Sequence, residues 1–311
     1  MRVIQGIRSN LLPASVVTLG MFDGVHRGHQ ALLQACREHA DRLGVPAVAL
    51  TYEPHPSVVL RPDNPVKLLT PLPEKLERLA AYRMDYVIIA EFTRDFSQLA
   101  PMRFLRDVLQ SALHPAMVVA GYRTTFGHDR AGSAAILQGG GHELGFGVEI
   151  VSPVQLQGGP VSSSRIRAEL AQGAVADVIP LLGYPYRLTG VVSRGDGRGH
   201  LLGIPTANLE CAPEKLIPAD GVYAVVASAP GVVRPAVMSI GARSTFGRPF
   251  ALEIHLLDYH ADLYGQPLVV TMHRRLRDML TCRSSAELLA CIHDDIARTR
   301  GMADDLLAAD L

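Results

Sequence analysis

The hydrophobic pattern of this chain changes period once, at Gly183-Tyr184-Pro185-Tyr186, and that change restricts the fold more than any other feature. Before it, short apolar runs at 14–19, 45–52, 86–90, 116–120 and 149–151 alternate with helix-periodic segments from residue 28, at 70–82 and 102–112, from about 161, and at 173–182. After it, β-rich runs at 187–193, 221–228, 232–240, 250–257 and 267–273 follow one another between Gly/Pro turns, and helical periodicity returns only over about 285–300. Strand–helix alternation predicts a doubly wound α/β parallel sheet. A series of short strands with one trailing helix predicts a small antiparallel β-barrel with a C-terminal helix. The expected domains are therefore 1–183 and 184–311, and 311 residues suffice for two separate cores.

Composition narrows the function classes. Lys plus Arg balance Asp plus Glu at 30 each, without a basic block, which argues against a nucleic-acid partner. Cys36, Cys211, Cys282 and Cys291 lie far apart with no C-x-x-C, so neither a disulfide framework nor a structural zinc site is expected. The opening MRVIQGIRSN lacks the apolar core of a signal peptide, and no apolar segment is long enough to cross a membrane. A cytoplasmic protein acting on small molecules is the expectation; oligomeric state is left open.

The chemistry of the first half is concentrated where strands end. The run at 14–19 breaks at Gly20, turns at Asp23-Gly24 and enters a helix near Gly28, giving G-x-F-D-G-x-H-x-G-H over 20–29. Unsatisfied N–H groups and the helix dipole make such a start a place for phosphate. His26 and His29, three apart, are able to face one phosphate group, and Gly28 between them allows close backbone approach. The run at 45–52 exits through Glu53-Pro54-His55-Pro56, a rigid turn or a ligand-lining loop at the sheet edge. The run at 116–120 exits through 121–132, GYRTTFGHDRAG, in which Arg123 is able to pair with a phosphate. Ser162, Ser163 and Ser164 with Arg165 and Arg167 are more than a helix cap needs, and offer hydroxyls and guanidinium groups to a phosphate chain.

In the second half, Gly195, Gly197 and Gly199 free the backbone to wrap a phosphate, and L-G-I-P-T-A-N follows at 202–208. Alternation along 251–258 puts Glu253 and His255 on one strand face, opposite Leu252 and Ile254. A further string, SIGARSTFG, spans 239–247.

These motifs, in this order, resemble the bacterial bifunctional riboflavin kinase/FMN adenylyltransferase (FAD synthetase) family from about residue 20 to 300. The resemblance implies an α/β HxGH nucleotidyltransferase domain with a Rossmann-like parallel sheet, followed by a β-barrel riboflavin kinase domain. By that likeness His26 and His29 contact ATP phosphates, supported by Gly20, Phe22, Asp23, Gly24, Gly28 and the three serines. Arg165 neutralises the departing pyrophosphate, while Pro54, Pro56, Arg123 and Phe126 lie on the flavin side. In the barrel, Thr206 and Asn208 hold Mg2+ and ATP phosphates, Glu253 is the base for the riboflavin 5′-hydroxyl, and Thr245 and Phe246 face substrate. Riboflavin, FMN and ATP are implied as substrates, with flavin not a bound prosthetic group. The chain departs from the family where G-x-[DN]-F-R-F-G is replaced by Arg123, Thr124 and Thr125, and has His200 for Arg and Ser244 for Pro. The first departure prompts a rival reading, a riboflavin kinase whose first domain is inactive or adenylylates another acceptor. A third, a non-catalytic flavin-binding or regulatory protein, is opposed by the intact Thr206, Asn208 and Glu253.

Overall fold

The computed structural model describes residues 1–194, 203–241, 251–281 and 283–309, which form two compact units, Met1–Ser163 and Ser164–Leu311. The first unit is built on six parallel strands: β1 (Arg2–Gln5), β2 (Ser15–Leu19), β3 (Ala47–Glu53), β4 (Tyr86–Glu91), β5 (Pro115–Gly121) and β6 (Gly147–Val151). Their order is β1-β4-β3-β2-β5-β6. A two-stranded ribbon, β7 (Gln155–Leu156) with β8 (Gly159–Pro160), follows. Among its helices are α1 (Arg27–Leu43), α2 (Pro56–Leu60) and α3 (Leu72–Ala80).

Both sheet faces are covered, which is why β2 reads as an unbroken apolar run and is buried at every residue. Val17, Leu19, Val48, Leu50, Ile88 and Val118 point into one core layer with Phe104, Leu105 and Leu109. Their sequence neighbours Val16, Ala49, Val87, Ile89 and Val119 point into the other, against Leu33 and Cys36 of α1 and Leu79 of α3. Each side chain fully removed from water, such as Leu33, Leu50 or Ile88, contributes about 1.5–3 kcal/mol. Burial also pushes the Cys36 thiol up to about 12, so it is a core residue and no nucleophile at neutral pH.

The strand order positions the site. β2 pairs with β3 on one side and β5 on the other, so the order reverses at β2, and the C-terminal end of β2 is the place where open α/β sheets bind ligands. Several local details differ from the sequence expectation. β1 was not evident in the pattern, because it is an edge strand that pairs with β4 and is mostly exposed. The helix expected at 70–82 starts only at Leu72, capped by Pro71 without a side-chain bond. The helix expected at 102–112 is α-helical at Pro101–Arg103, widens to a π-helix over Phe104–Gln110, and closes at Ser111–Leu113. That at 173–182 shortens to Val178–Leu182.

The second unit is a closed barrel of β9 (Tyr186–Ser193), β10 (Ala207–Cys211), β11 (Gly221–Ala229), β12 (Val232–Gly241), β13 (Ala251–Leu256) and β14 (Pro267–Arg277). Its order is β10-β13-β12-β11-β14-β9, with antiparallel pairing throughout, and closure leaves no open edge. Tyr223, Val225, Met238, Ile240, Leu252 and Ile254 fill one face of the strands and are buried. The alternate residues Val222, Ala224, Val226 and Val237 form the outer face, covered by Ile296 and Leu306 of the helices Ser285–Arg300 and Ala303–Ala308. Neither β10 nor the last helix was expected.

Arg277 locks this cover in place. Its Nε lies 3.1 Å from both Asp295 carboxylate oxygens and its Nη2 2.7 Å from one of them, and Asp295 is 1 % exposed. Asp295→Ala is expected to lower the unfolding free energy of the barrel by roughly 3 kcal/mol, the low end for a broken buried pair because Arg277 keeps some water. Urea unfolding followed by far-UV circular dichroism measures it; a loss below about 1 kcal/mol contradicts the lock.

Candidate functional site

In the first unit the strand–turn–helix at 15–43 closes around a buried carboxylate. Asp23, 3 % exposed, accepts from the Thr70 backbone N–H at 2.9 Å, and the Thr70 hydroxyl accepts from the Gly24 N–H at 2.8 Å. Ser163 Oγ donates to the Asp23 carbonyl at 2.9 Å, so the serine motif meets the first motif here. Between these anchors the backbone takes left-handed angles at Phe22 (φ 49°), Gly24 (φ 84°) and Val25 (φ 32°). A β-branched residue with positive φ is an outlier, and such strain persists only where the surroundings over-determine it.

His26 is the N-cap of α1, its Nδ1 accepting from the His29 N–H at 3.3 Å. With Nδ1 an acceptor, the ring proton of neutral His26 belongs on Nε2, which makes that atom a donor. The His26 and His29 rings stack with centroids 3.7 Å apart and 15° between planes, and Phe22 meets His29 edge-on at 5.4 Å. Gly28 makes this possible: a Cβ there would stand 3.1 Å from His26 Cε1 and 3.2 Å from Nδ1. Burial, then His26, then Lys75 depress the His29 pKa well below 6.5, so this imidazole is neutral at physiological pH. Its Nδ1 is buried with no hydrogen-bond partner among the described residues.

The flanking loops converge on the same edge of the sheet. The Gly20 N–H donates to the Leu50 carbonyl at 3.1 Å, and Thr51 Oγ1 donates to the Met21 carbonyl at 3.3 Å, which ties the turn to β3. Pro54 and Pro56 follow at the end of β3, half-buried, and His55 caps α2. On the other side β5 ends at Gly121, beside β2, and Arg123 is exposed in the loop that follows. Phe126, expected on the flavin side, is buried with its ring 5.3 Å from that of Phe104. Its backbone bridges Gly132, where a Cβ would stand 2.5 Å from the Phe126 ring. Thr125 receives a bond from Arg130 Nε at 3.0 Å. Ser164 and Arg165 stand in the first turn of the helix Ser163–Leu170.

The barrel carries the second constellation on its outer face. Register places Asn208 opposite both Ser193 and Glu253, and Glu253 opposite Ser239, so these four share one face. Asn208 is 8 % exposed, while Thr206 and Glu253 are half-buried. His255, next on the Glu253 face, bonds the Pro205 carbonyl through Nδ1 at 2.8 Å and so fixes the backbone entering Thr206. Beside Thr206 a cleft of about 330 Å³ is lined by Pro205, Ile254, Leu256, Tyr259 and Tyr264. Among the described residues no group of three or more His, Cys, Asp or Glu is placed to hold a metal. A cation here would take two neutral protein oxygens, Thr206 Oγ1 and the Asn208 amide, and complete its shell with phosphate and water, which fits Mg2+. Gly195, Gly197, Gly199, His200, Ser244, Thr245 and Phe246 lie outside the described residues.

Thr70, Thr51 and Lys75 were not singled out from the sequence. Thr70 stands at the start of the segment expected to be helical, yet its hydroxyl serves the Gly24 N–H. Lys75 sits in an amphipathic helix beside Glu74, Glu77 and Arg78, where a lysine ordinarily faces water.

Two family models match the chain, FAD synthetase over residues 9–165 and riboflavin kinase over residues 182–303. A protein of Escherichia coli named bifunctional riboflavin kinase/FMN adenylyltransferase is 37 % identical over 301 residues, 95 % of this chain and 96 % of that one. Its namesake in Listeria monocytogenes is 36 % identical over 288 residues, 92 % and 91 % of the two chains. A crystal structure from Streptococcus pneumoniae, described as a macrolide-efflux protein, aligns with a TM-score of 0.87 at 31 % identity, covering 96 % of this chain and 99 % of that one. Among the described residues of this chain, no helix is long and apolar enough to cross a membrane.

The depressed His29 pKa has a consequence for stability. Unfolded, the imidazole takes up a proton near pH 6.5; folded, it does so only well below. Within that window the unfolded state binds more protons, so stability falls as pH drops below about 6.5. The first unit of a His29→Gln variant should lose less stability than wild type between pH 7 and 5, as measured by urea titrations across that range. Equal pH slopes contradict a buried neutral imidazole.

Proposed function

The chain belongs to the family of bifunctional riboflavin kinase/FMN adenylyltransferases, and from that premise we propose how its own residues divide the two reactions. The barrel phosphorylates riboflavin with ATP to give FMN. The first unit transfers AMP from a second ATP to FMN, giving FAD and pyrophosphate. The observation that carries this division is that two phosphate-suited constellations exist, one around His26 and His29 and one around Asn208 and Glu253, on separate units. We place the functional boundary at Gly183, ahead of β9.

The acceptors differ, and so do the residues they need. Riboflavin presents a neutral primary hydroxyl, which must lose a proton as it attacks the γ-phosphorus of ATP. Glu253 orients that hydroxyl and takes its proton, and ADP leaves in line. Thr206 and Asn208, on either side of Ala207, hold the phosphates and Mg2+. Mg2+, when bound with ATP, neutralises charge on the phosphate oxygens. The cleft lined by Ile254, Leu256 and Tyr264 takes the nucleotide base. Gly195, Gly197 and Gly199 wrap the triphosphate, and Thr245 and Phe246 face the flavin.

FMN presents a phosphate that is already anionic, so the first site requires no base. It has to orient the two phosphates and offset their mutual repulsion. The N–H groups at the start of α1, His26, His29 and the serines at 162–164 bind the ATP phosphates, with Gly20, Phe22, Asp23, Gly24 and Gly28 shaping the turn. Arg165 offsets charge on the leaving pyrophosphate, and Arg123 meets the FMN phosphate. Pro54 and Pro56 shape the flavin side, and Phe126 supports it from the core. Among the described residues Cys36, Cys211 and Cys291 form no disulfide, which suits a cytoplasmic enzyme.

Two substitutions test the division. Glu253→Gln is expected to lower riboflavin phosphorylation by about 10²–10⁴-fold, the range for a lost general base, while FMN still becomes FAD. His29→Ala should do the reverse, slowing adenylylation and sparing the kinase. Assays with MgATP, started separately from riboflavin and from FMN, read both. Equal loss of the two activities in either variant overturns the assignment.

A further inference from the structure

A buried lysine lies next to the histidine turn of the first unit. Lys75, on α3, is 3 % exposed, an unusual position for a lysine. Its Nζ lies 3.4 Å from the Met21 carbonyl, 3.4 Å from Thr51 Oγ1 and 4.0 Å from a Glu53 carboxylate oxygen. Those partners come from the turn after β2 and from the end of β3, at the C-terminal edge of the sheet. A desolvated ammonium survives only with such partners.

We propose that Lys75 is a positioning residue for adenylyl transfer, a buried ammonium that joins the turn bearing His26 and His29 to the end of β3 from beneath. This rests on the reading that the first unit's histidine turn is the adenylyl-transfer site. The geometry gives Lys75 two effects. Its bonds to the Met21 carbonyl and Thr51 hold the strained Phe22–Val25 turn at one height relative to the Glu53-Pro54 exit of β3. Its charge also offsets part of the negative charge that the Glu53 and Asp23 carboxylates place near a site meant for triphosphate.

The electrostatic surroundings are consistent on all sides. Burial lowers the Lys75 pKa, and Glu53 and Asp23 raise it. His29, on α1, faces His26 and Lys75, and both lower its pKa in addition to burial. Lys75 therefore helps to keep His29 neutral. That gives a readout which a purely structural role would not produce: removing the ammonium must raise the titration midpoint of the His29 imidazole.

The test uses Lys75→Met, which matches the side chain in length and removes the charge, in the full chain. Lys75→Gln, which keeps a hydrogen-bonding end, serves as the second variant. Riboflavin phosphorylation and FMN adenylylation are assayed in parallel, and imidazole titration is followed by long-range ¹H–¹⁵N NMR, with His29→Ala used to assign the signal. The expected result for both variants is adenylylation reduced in kcat by about 10–10²-fold, a modest share of what one preorganised electrostatic contact supplies. The kinase rate should be unchanged, and the His29 midpoint higher than in wild type. Adenylylation within twofold of wild type, or an unmoved His29 midpoint, overturns the role of Lys75. Failure of the underlying reading looks different: His29→Ala itself would then leave adenylylation intact.

Discussion

A single buried carboxylate, Asp23, sets the geometry on which the first unit's chemistry depends. A carboxylate 3 % exposed must be hydrogen-bonded, and its partners are drawn from a segment some fifty residues away in sequence, at Thr70. Satisfying it closes the turn after β2, and the closed turn carries Phe22 and Val25 in left-handed conformations. The closed turn delivers His26 to the N-cap of α1, where its ring is fixed by the His29 N–H and stacked on the His29 ring. The two stacked imidazoles thus belong to a strained, over-determined segment. Precise placement of donors is what an electrostatic site requires.

The barrel reaches its geometry by a different constraint. Closure of six antiparallel strands fixes every register, and a slip of one residue would carry Glu253 from the outer face to the core. Asn208 and Glu253 are neighbours because β10 and β13 are paired with Ala207 opposite Ile254. The bond from His255 to the Pro205 carbonyl then holds the segment that leads into Thr206. Glu253, Asn208 and Thr206 are therefore placed by backbone hydrogen bonding, with little left to side-chain choice.

Much of this was legible in the residues. The change at 183–186, from strands alternating with helices to a run of strands between Gly/Pro turns, separated the parallel sheet from the barrel. The glycine-punctuated turn before α1 and the shared face of Glu253 and His255 were visible for similar reasons of local geometry. Contacts that exist only after tertiary folding were not. Thr70 next to a helix start carries the same local signal whether it caps that helix or serves Gly24. Lys75 is indistinguishable by spacing from a lysine on a solvated helix face. β1 showed no alternation because it is an edge strand with little burial, and β10 was hidden in a short string dominated by Pro205 and its neighbours.

The central claim is that one chain performs two consecutive phosphate transfers, the first with a carboxylate base and the second without one. The most direct measurement is chromatographic separation of riboflavin, FMN and FAD after incubation of the wild-type chain with MgATP, started once from riboflavin and once from FMN. FAD should form from both starts, with FMN appearing before it in the first. Accumulation of FMN without FAD from either start would contradict the account and leave the barrel as the only working site.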